Sequence, residues 1–246
     1  MAQIAVNGQI WNYVEIVGGY GGPPLLILHG WGRSGSEWIN IGRQLAELGG
    51  RRVYVLDLPG FGGSGLSQVK EIFEYSELIV QFCQYLELDK VMIIGHSLGG
   101  RVGIVLASKY SELVEQLVLI DPAGVRPRSI KRATLKVISK LFGFVPASWR
   151  ARIMYSAMDS DYRDSPVLRQ LYKAVVSHDL RSNLSQIKCK TLVVWGEKDP
   201  ILPLSLSKVY REKINDCQVR VVWEAGHDSH LSHPRELVRI LEAGWI

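Results

Sequence analysis

Short runs of apolar, largely β-branched residues recur along the chain, separated by longer stretches in which apolar positions return every three to four residues. Leu25–Leu28, Val53–Leu56, Val91–Ile94, Leu117–Ile120, Leu192–Trp195 and Val219–Trp223 are almost free of polar side chains. Runs of this length and kind predict strands covered on both faces, the situation of a parallel sheet. Ile10–Ile16 alternates apolar with polar and predicts an edge or hairpin strand. Between these runs the helical spacing predicts helices over Ser36–Leu48, Phe73–Leu86, Leu98–Tyr110, Leu206–Ile214 and Pro234–Leu241. The last carries its own start signal, with Pro234 at the first helical position and Glu236 in the first turn. Strands alternating with helices make an α/β fold with a mostly parallel central sheet flanked by helices.

One interval breaks the alternation. From Pro122 to Gln186 no strand pattern occurs, only helical segments such as Ile130–Leu141 and Ser165–Val176. The economical reading is a helical lid inserted before the last strands. Residues 1–121 and 187–246 then form the core, and 122–186 the lid over its strand ends.

Charge sharpens this division. The chain of 246 residues has a net charge of +5. Residues 122–186 hold 12 Lys/Arg against 4 Asp/Glu, so the basicity belongs to the lid segment alone. A solvated outer helix face explains it, and attraction of anionic substrates or a membrane surface is the sharper alternative. No nucleic-acid recognition motif accompanies the charge, so nucleic acid is not expected as a partner. No apolar run approaches the roughly 18 residues of a membrane span, so stable membrane insertion is not expected either. The N-terminal Met1–Val6 lacks a basic segment followed by an apolar core, and no secretory signal is read there. Cys83, Cys189 and Cys217 are scattered, none in a C-x-x-C, which fits inert thiols and a cytoplasmic protein. Neither spacing nor composition speaks to oligomeric state.

The candidate chemistry centres on Gly95-His96-Ser97-Leu98-Gly99, set between an apolar run and a helical pattern. A serine flanked by glycines two residues either side, at a strand-to-helix turn, is the nucleophile elbow of hydrolytic enzymes. Bulkier flanking side chains would collide with the strand and helix that the turn joins. Serine needs a base to take its proton, and the base needs a group to orient it. In this arrangement they follow in the order serine, acid, histidine. Asp199, in Gly196-Glu197-Lys198-Asp199-Pro200, follows one apolar run, and His227, in Glu224-Ala225-Gly226-His227, follows the next. Both fall at carboxyl ends of strands, where open α/β sheets collect catalytic groups.

With His29-Gly30-Trp31-Gly32, Asp57-Leu58-Pro59-Gly60-Phe61-Gly62-Gly63-Ser64, the serine pentapeptide, Trp195 to Asp199, and Gly226-His227 followed by Pro234, the chain resembles the α/β-hydrolase superfamily, in its lid-bearing, esterase-like form. Lys190 and Ser232 depart from the pattern, where proline and an acid are usual. The resemblance implies a catalytic triad of Ser97, His227 and Asp199 and an oxyanion hole built from the backbone amides of Leu98 and Trp31. It implies no cofactor and no metal. Asp121, also at a strand end between serine and histidine, is the alternate acid. His230 and His233 are rivals to His227 that fall at the start of the last helix, where His233 suits an N-cap. Asp57 is expected to brace loops beneath the site. For His96 and the Trp31 ring, packing and shaping of the pocket stand side by side.

The expected function is a serine hydrolase of carboxylic esters acting through an acyl-enzyme on a small-molecule acyl substrate. Carbon–carbon bond hydrolases, thioesterases and cofactor-free perhydrolases share the triad and stay open, although His29-Gly-Trp-Gly-Arg33 lacks the H-G-x-G-P loop of the first class. Serine at 97 argues against the superfamily's dehalogenases and epoxide hydrolases, whose nucleophile is a carboxylate. A ligand receptor on the same frame is a more distant reading. So is dinucleotide binding: Gly60 to Gly65 matches G-x-G-x-x-G, but Pro59 opens the turn and Glu77, the nearest acid, lies inside a helical pattern. Leu141, Phe142, Phe144, Trp149, Met154 and Tyr155 are candidates to line an apolar acyl pocket.

Overall fold

A computed structural model describes residues 1–19, 21–66, 69–126 and 166–243. The predicted helix at Ile130–Leu141 and the apolar candidates from Leu141 to Tyr155 lie outside the described residues. Eight strands form one sheet: β1 (Ala2–Val6), β2 (Gln9–Val17), β3 (Leu25–Leu28), β4 (Arg52–Leu56), β5 (Val91–His96), β6 (Val114–Ile120), β7 (Lys190–Gly196) and β8 (Cys217–Val222). Their spatial order is β1-β2-β4-β3-β5-β6-β7-β8. β1 and β2 form an antiparallel hairpin and β2 runs antiparallel to β4, while every pair from β4 to β8 is parallel.

The two-residue period of a strand sorts the apolar runs into two cores. Leu25, Ile27, Met92, Ile94, Val118, Ile120, Leu192 and Val194 point to one face, which α1 (Ile39–Gly49) and a C-terminal helix (Pro234–Glu242) cover. Leu26, Leu28, Ile93, Leu117, Leu119, Val193 and Trp195 point to the other, under α2 (Ile72–Tyr85) and α3 (Leu98–Lys109). Double coverage is why β3 reads as four consecutive buried residues. Val219–Trp223 departs from that expectation. β8 pairs only with β7, so one edge is open, most of the strand is half-buried, and Trp223 lies beyond its end, 64% exposed.

Helix α4 (Pro166–Ser177) agrees with the predicted Ser165–Val176 and buries Leu168, Leu171 and Val175, spaced for one helix face, in the α2–α3 core. Arg101 anchors its C-terminal end. This side chain is 2% exposed, and its guanidinium donates to the carbonyls of Val175 (2.8 Å), His178 and Ala123. Burial pushes its pKa down to about 10, so the cation stays charged and replaces water with three carbonyls. Short helices at Arg181–Leu184 and Ser229–Ser232 complete the descent from α4 and the turn before the last helix.

Candidate active site

The turn between β5 and α3 holds Ser97 at φ 50° and ψ −103°, a region that non-glycine residues rarely occupy. Its backbone is held on both sides: the Ser97 N–H donates to Ile120 O (3.1 Å), and Ser97 O accepts from Arg101 N–H (3.1 Å) and Ala123 N–H (3.2 Å). The flanking glycines are steric necessities. A Cβ at Gly95 would lie 2.4 Å from Gly99 O, and one at Gly99 would lie 2.1 Å from Leu28 O, both backbone atoms unable to yield.

Three strand ends deliver three side chains to one place. His227 Nε2 lies 3.1 Å from Ser97 Oγ, and His227 Nδ1 lies 2.7 Å from Asp199 Oδ2. The second carboxylate oxygen of Asp199 accepts the amides of Ile201 (2.7 Å) and Leu202 (2.8 Å), which fixes the carboxylate on its loop and leaves Oδ2 for the ring. With Nδ1–H donated to Asp199, Nε2 keeps a lone pair for the Ser97 hydroxyl. Burial opposes charging His227, but the hydrogen bond and charge of Asp199, with Asp228 nearby, outweigh it and raise the imidazole pKa above its ordinary value.

Asp121 lies against this group, fully buried at the end of β6. Its carboxylate accepts Gly196 N–H (2.8 Å) and the Ser229 hydroxyl (3.2 Å), while Asp199 holds His227 Nδ1 at 2.7 Å. Burial first, then the neighbouring Asp199 charge, push its pKa up to about 8. Of the other expectations, His233 sits at the N-cap of the last helix without a side-chain cap bond. His230 is buried and stacked on Trp38 at 4.3 Å, in the helix that follows His227.

Asp57 braces loops, as expected. Its Oδ1 accepts Gly35 N–H (2.7 Å), and its Oδ2 accepts Asn12 Nδ2 (2.7 Å) and Gly63 N–H (2.8 Å). The G-x-G-x-x-G turn therefore wraps an internal carboxylate: a Cβ on Gly62 would lie 2.1 Å from Asp57 Oδ2. α2 begins only at Ile72, so no helix N-terminus follows the glycines to receive a pyrophosphate.

The Leu98 amide opens α3, where a helix leaves its first donors unpaired. Trp31 stands on the loop after β3, beside Ser97: a Cβ on the preceding Gly30 would come 3.5 Å from Ser97 Cβ. Neither amide has a hydrogen-bond partner among the described residues. The Trp31 ring packs edge-on against Phe61 and against Tyr172 of α4, each at 5.0 Å, so it joins the core to the helix above. Burial raises the thiol pKa of Cys83 to about 12 and of Cys189 and Cys217 to about 11, which leaves them as thiols.

The connections made by Arg33 and the anchoring of α4 by Arg101 do not follow from the sequence patterns above. A lone cation in the apolar stretch Val102–Ala107 and its preceding turn was a visible signal for the second. Nothing local marked the first.

The chain is 34% identical to the dihydrolipoyllysine-residue acetyltransferase component of an acetoin cleaving system from Pseudomonas putida, over 90% of this chain and 63% of that protein. It is 26% identical to a monoacylglycerol lipase of Rattus norvegicus (89% of this chain, 74% of the relative) and 28% identical to lipase 1 of Psychrobacter immobilis (90% and 76%). Among solved structures, a membrane phospholipase A described as a bacterial virulence factor superposes with a TM-score of 0.79 at 26% identity, covering 98% of this chain and 84% of that one. Residues 25–240 match the alpha/beta hydrolase family, from the first residue of β3 into the last helix. A match across so much of the sheet and its covering helices shows that the chain belongs to the alpha/beta hydrolase family.

Proposed function

We propose that the protein hydrolyses carboxylic esters through an acyl-enzyme on Ser97. The observation that carries this reading is the relay from Ser97 Oγ to His227 Nε2 at 3.1 Å and from His227 Nδ1 to Asp199 at 2.7 Å, at the tip of a strained turn. Ser97 Oγ attacks the ester carbonyl as His227 takes its proton, and the imidazolium then protonates the departing alcohol. Asp199 keeps the proton on Nδ1 and stabilises the transient cation. The amides of Leu98 and Trp31 receive the oxyanion, a contribution of about 3 kcal/mol for one such donor elsewhere. Water, deprotonated by His227, then attacks the acyl-enzyme and releases the acid.

Relatives named as lipases support the ester reading. The relative named as an acetyltransferase favours a second one, acyl transfer chemistry on thioesters, which the same nucleophile would perform. A panel of chromogenic esters of graded acyl length, with acyl thioesters and an anionic acyl substrate added, separates the two. Ester turnover that disappears in Ser97→Ala is expected. Thioester turnover far above every ester would replace the first reading by the second, and no acyl turnover at all would remove both.

A further inference from the structure

His96 precedes the nucleophile, yet its side chain turns away from the reaction and into the protein, where it is 1% exposed. Its Nε2–H donates to the carbonyl oxygen of His227 at 2.9 Å. The opposite edge of the ring lies against the loop after β3, because a Cβ on Gly30 would approach His96 Nδ1 to 2.8 Å. One ring thus separates and spaces two segments, the loop 29–33 and the backbone of the base. The ring is locked laterally by His230 (4.6 Å between centroids), by the His227 ring (5.0 Å) and by Trp38 (6.1 Å). Burial, with the neighbouring His230 and His227, holds it neutral, so a single proton is available and the His227 carbonyl takes it.

A second connection runs parallel to the first. Arg33, at the end of the same loop, donates to Asp228 Oδ2 at 2.7 Å and to Glu37 Oε1 at 3.0 Å. Glu37 reaches on to His230 Nε2 at 3.4 Å. Asp228 is the residue after His227, and its other oxygen lies 3.8 Å from His96 Nε2. His96, Asp228 and His230 also converge closely enough to suggest a cation site, but the guanidinium of Arg33 already occupies the Asp228 carboxylate. The loop is fastened at its other end by His29, whose Nε2 accepts Leu58 N–H (2.9 Å) while Nδ1–H donates to Gly30 O (2.7 Å).

We infer that His96 and the Arg33–Asp228 pair are positioning residues that hold the loop bearing the Trp31 amide in register with the imidazole of His227. The inference rests on the proposed roles of Ser97, His227 and Trp31. Those roles demand that the donor to the oxyanion and the base to the nucleophile stay fixed relative to each other, since displacement by about 1 Å costs on the order of 100-fold in rate. The sheet alone does not ensure this: loop 29–33 leaves β3, and His227 leaves β8, four strand positions away in the sheet order. His96 and Arg33 bridge that distance directly.

The test compares His96→Leu, His96→Gln, Arg33→Met, Asp228→Asn and the double variant of the last two. Each is assayed with a short-chain p-nitrophenyl ester and with a fluorophosphonate that reacts at Ser97, and melting temperature is measured alongside. His96→Leu, folded, is expected to lower kcat by about 30-fold or more with KM within about threefold, and to slow labelling in parallel. His96→Gln, whose amide donates to the same carbonyl, should recover most of that loss, which packing alone would not produce. Arg33→Met and Asp228→Asn should each lower kcat, and the double variant should lose no more than the worse single one. Unchanged kcat in folded His96→Leu, or a Gln variant no better than Leu, would overturn the role of His96. Additive losses at Arg33 and Asp228 would overturn the strap. Should His96→Leu not fold, the Gln variant and the Arg33–Asp228 cycle decide. Ser97→Ala separates this inference from its foundation: full ester turnover in that variant removes the site itself, whereas a dead Ser97→Ala with fully active strap variants removes only the positioning.

Discussion

Asp121 offers the most quantitative check on the electrostatics of the site. In the unfolded chain its carboxyl ionises near its ordinary 3.8, but in the folded protein only near about 8, because burial and the adjacent Asp199 disfavour a second negative charge. Between those values the folded state holds a proton that the unfolded state has lost. Stability is therefore least affected by this group below its unfolded pKa and falls as pH rises, by about 1.4 kcal/mol per pH unit, levelling off above the folded value. By neutral pH the accumulated cost is about 4 kcal/mol. Asp121→Asn removes it. The amide oxygen still accepts Gly196 N–H, the amide nitrogen meets the Ser229 hydroxyl, and asparagine tolerates the φ of 43° found there. Imperfect replacement of those bonds offsets about 1 kcal/mol. Urea unfolding of both proteins at about pH 4, 6 and 8 should show curves that nearly coincide in acid and diverge upward for the variant, by about 3 kcal/mol at neutral pH. Parallel stabilities across that range would refute the neutral-carboxyl account, and a variant less stable at about pH 8 would show that Asp121 is ionised and stabilising in the native state.

The same substitution also distinguishes the two acids: Asp199→Asn should lower kcat by about 10⁴-fold through the wrong imidazole tautomer, and Asp121→Asn by less than about tenfold; the reverse order would reassign the acid to Asp121. Gly99→Ala should destabilise by at least about 3 kcal/mol, since its Cβ would meet the Leu28 carbonyl at 2.1 Å, and a thermal melt within a few degrees of the parent would contradict the packing of the elbow. The acid limb of kcat/KM should titrate above 6.5, because the free-enzyme imidazole must lose its proton to act as base and Asp199 raises its pKa over the opposing effect of burial. In Asp199→Asn that limb should move toward lower pH, and an unmoved limb would detach it from His227.

Much of this architecture is legible in the sequence. Strands β3 to β7 announce themselves because a parallel strand sandwiched between helix layers tolerates no polar interruption. Ser97, Asp199 and His227 follow from local grammar, each a short step beyond such a run. β1 went unread, although the signal was present: Asn7-Gly8 links Val6 to its partner Gln9, with φ of 46° and 82°, the asparagine–glycine hairpin turn. Its residues are mostly exposed, so the apolar pattern that revealed the other strands is absent. The edge position of β8 was not legible either, because Val219–Trp223 is apolar enough to pass for an interior strand. The contacts of His96 with His227, and of Arg33 with Asp228, join residues 131 and 195 positions apart, and no periodicity encodes a pairing at that range. The strand end marks Asp121 as a possible acid; its raised pKa depends on burial and on Asp199, which only the folded sheet brings together.

The proposed mechanism stands on Ser97 as the nucleophile and His227 as its base. Incubation with a fluorophosphonate, followed by peptide mass mapping, tests it most directly: the Ser97 oxygen displaces fluoride and keeps the phosphonyl group. The added mass is expected on the peptide containing Ser97, at a rate that falls by orders of magnitude in His227→Ala, with ester turnover lost in step. Adduct on another residue, or full-rate labelling in His227→Ala, would contradict it.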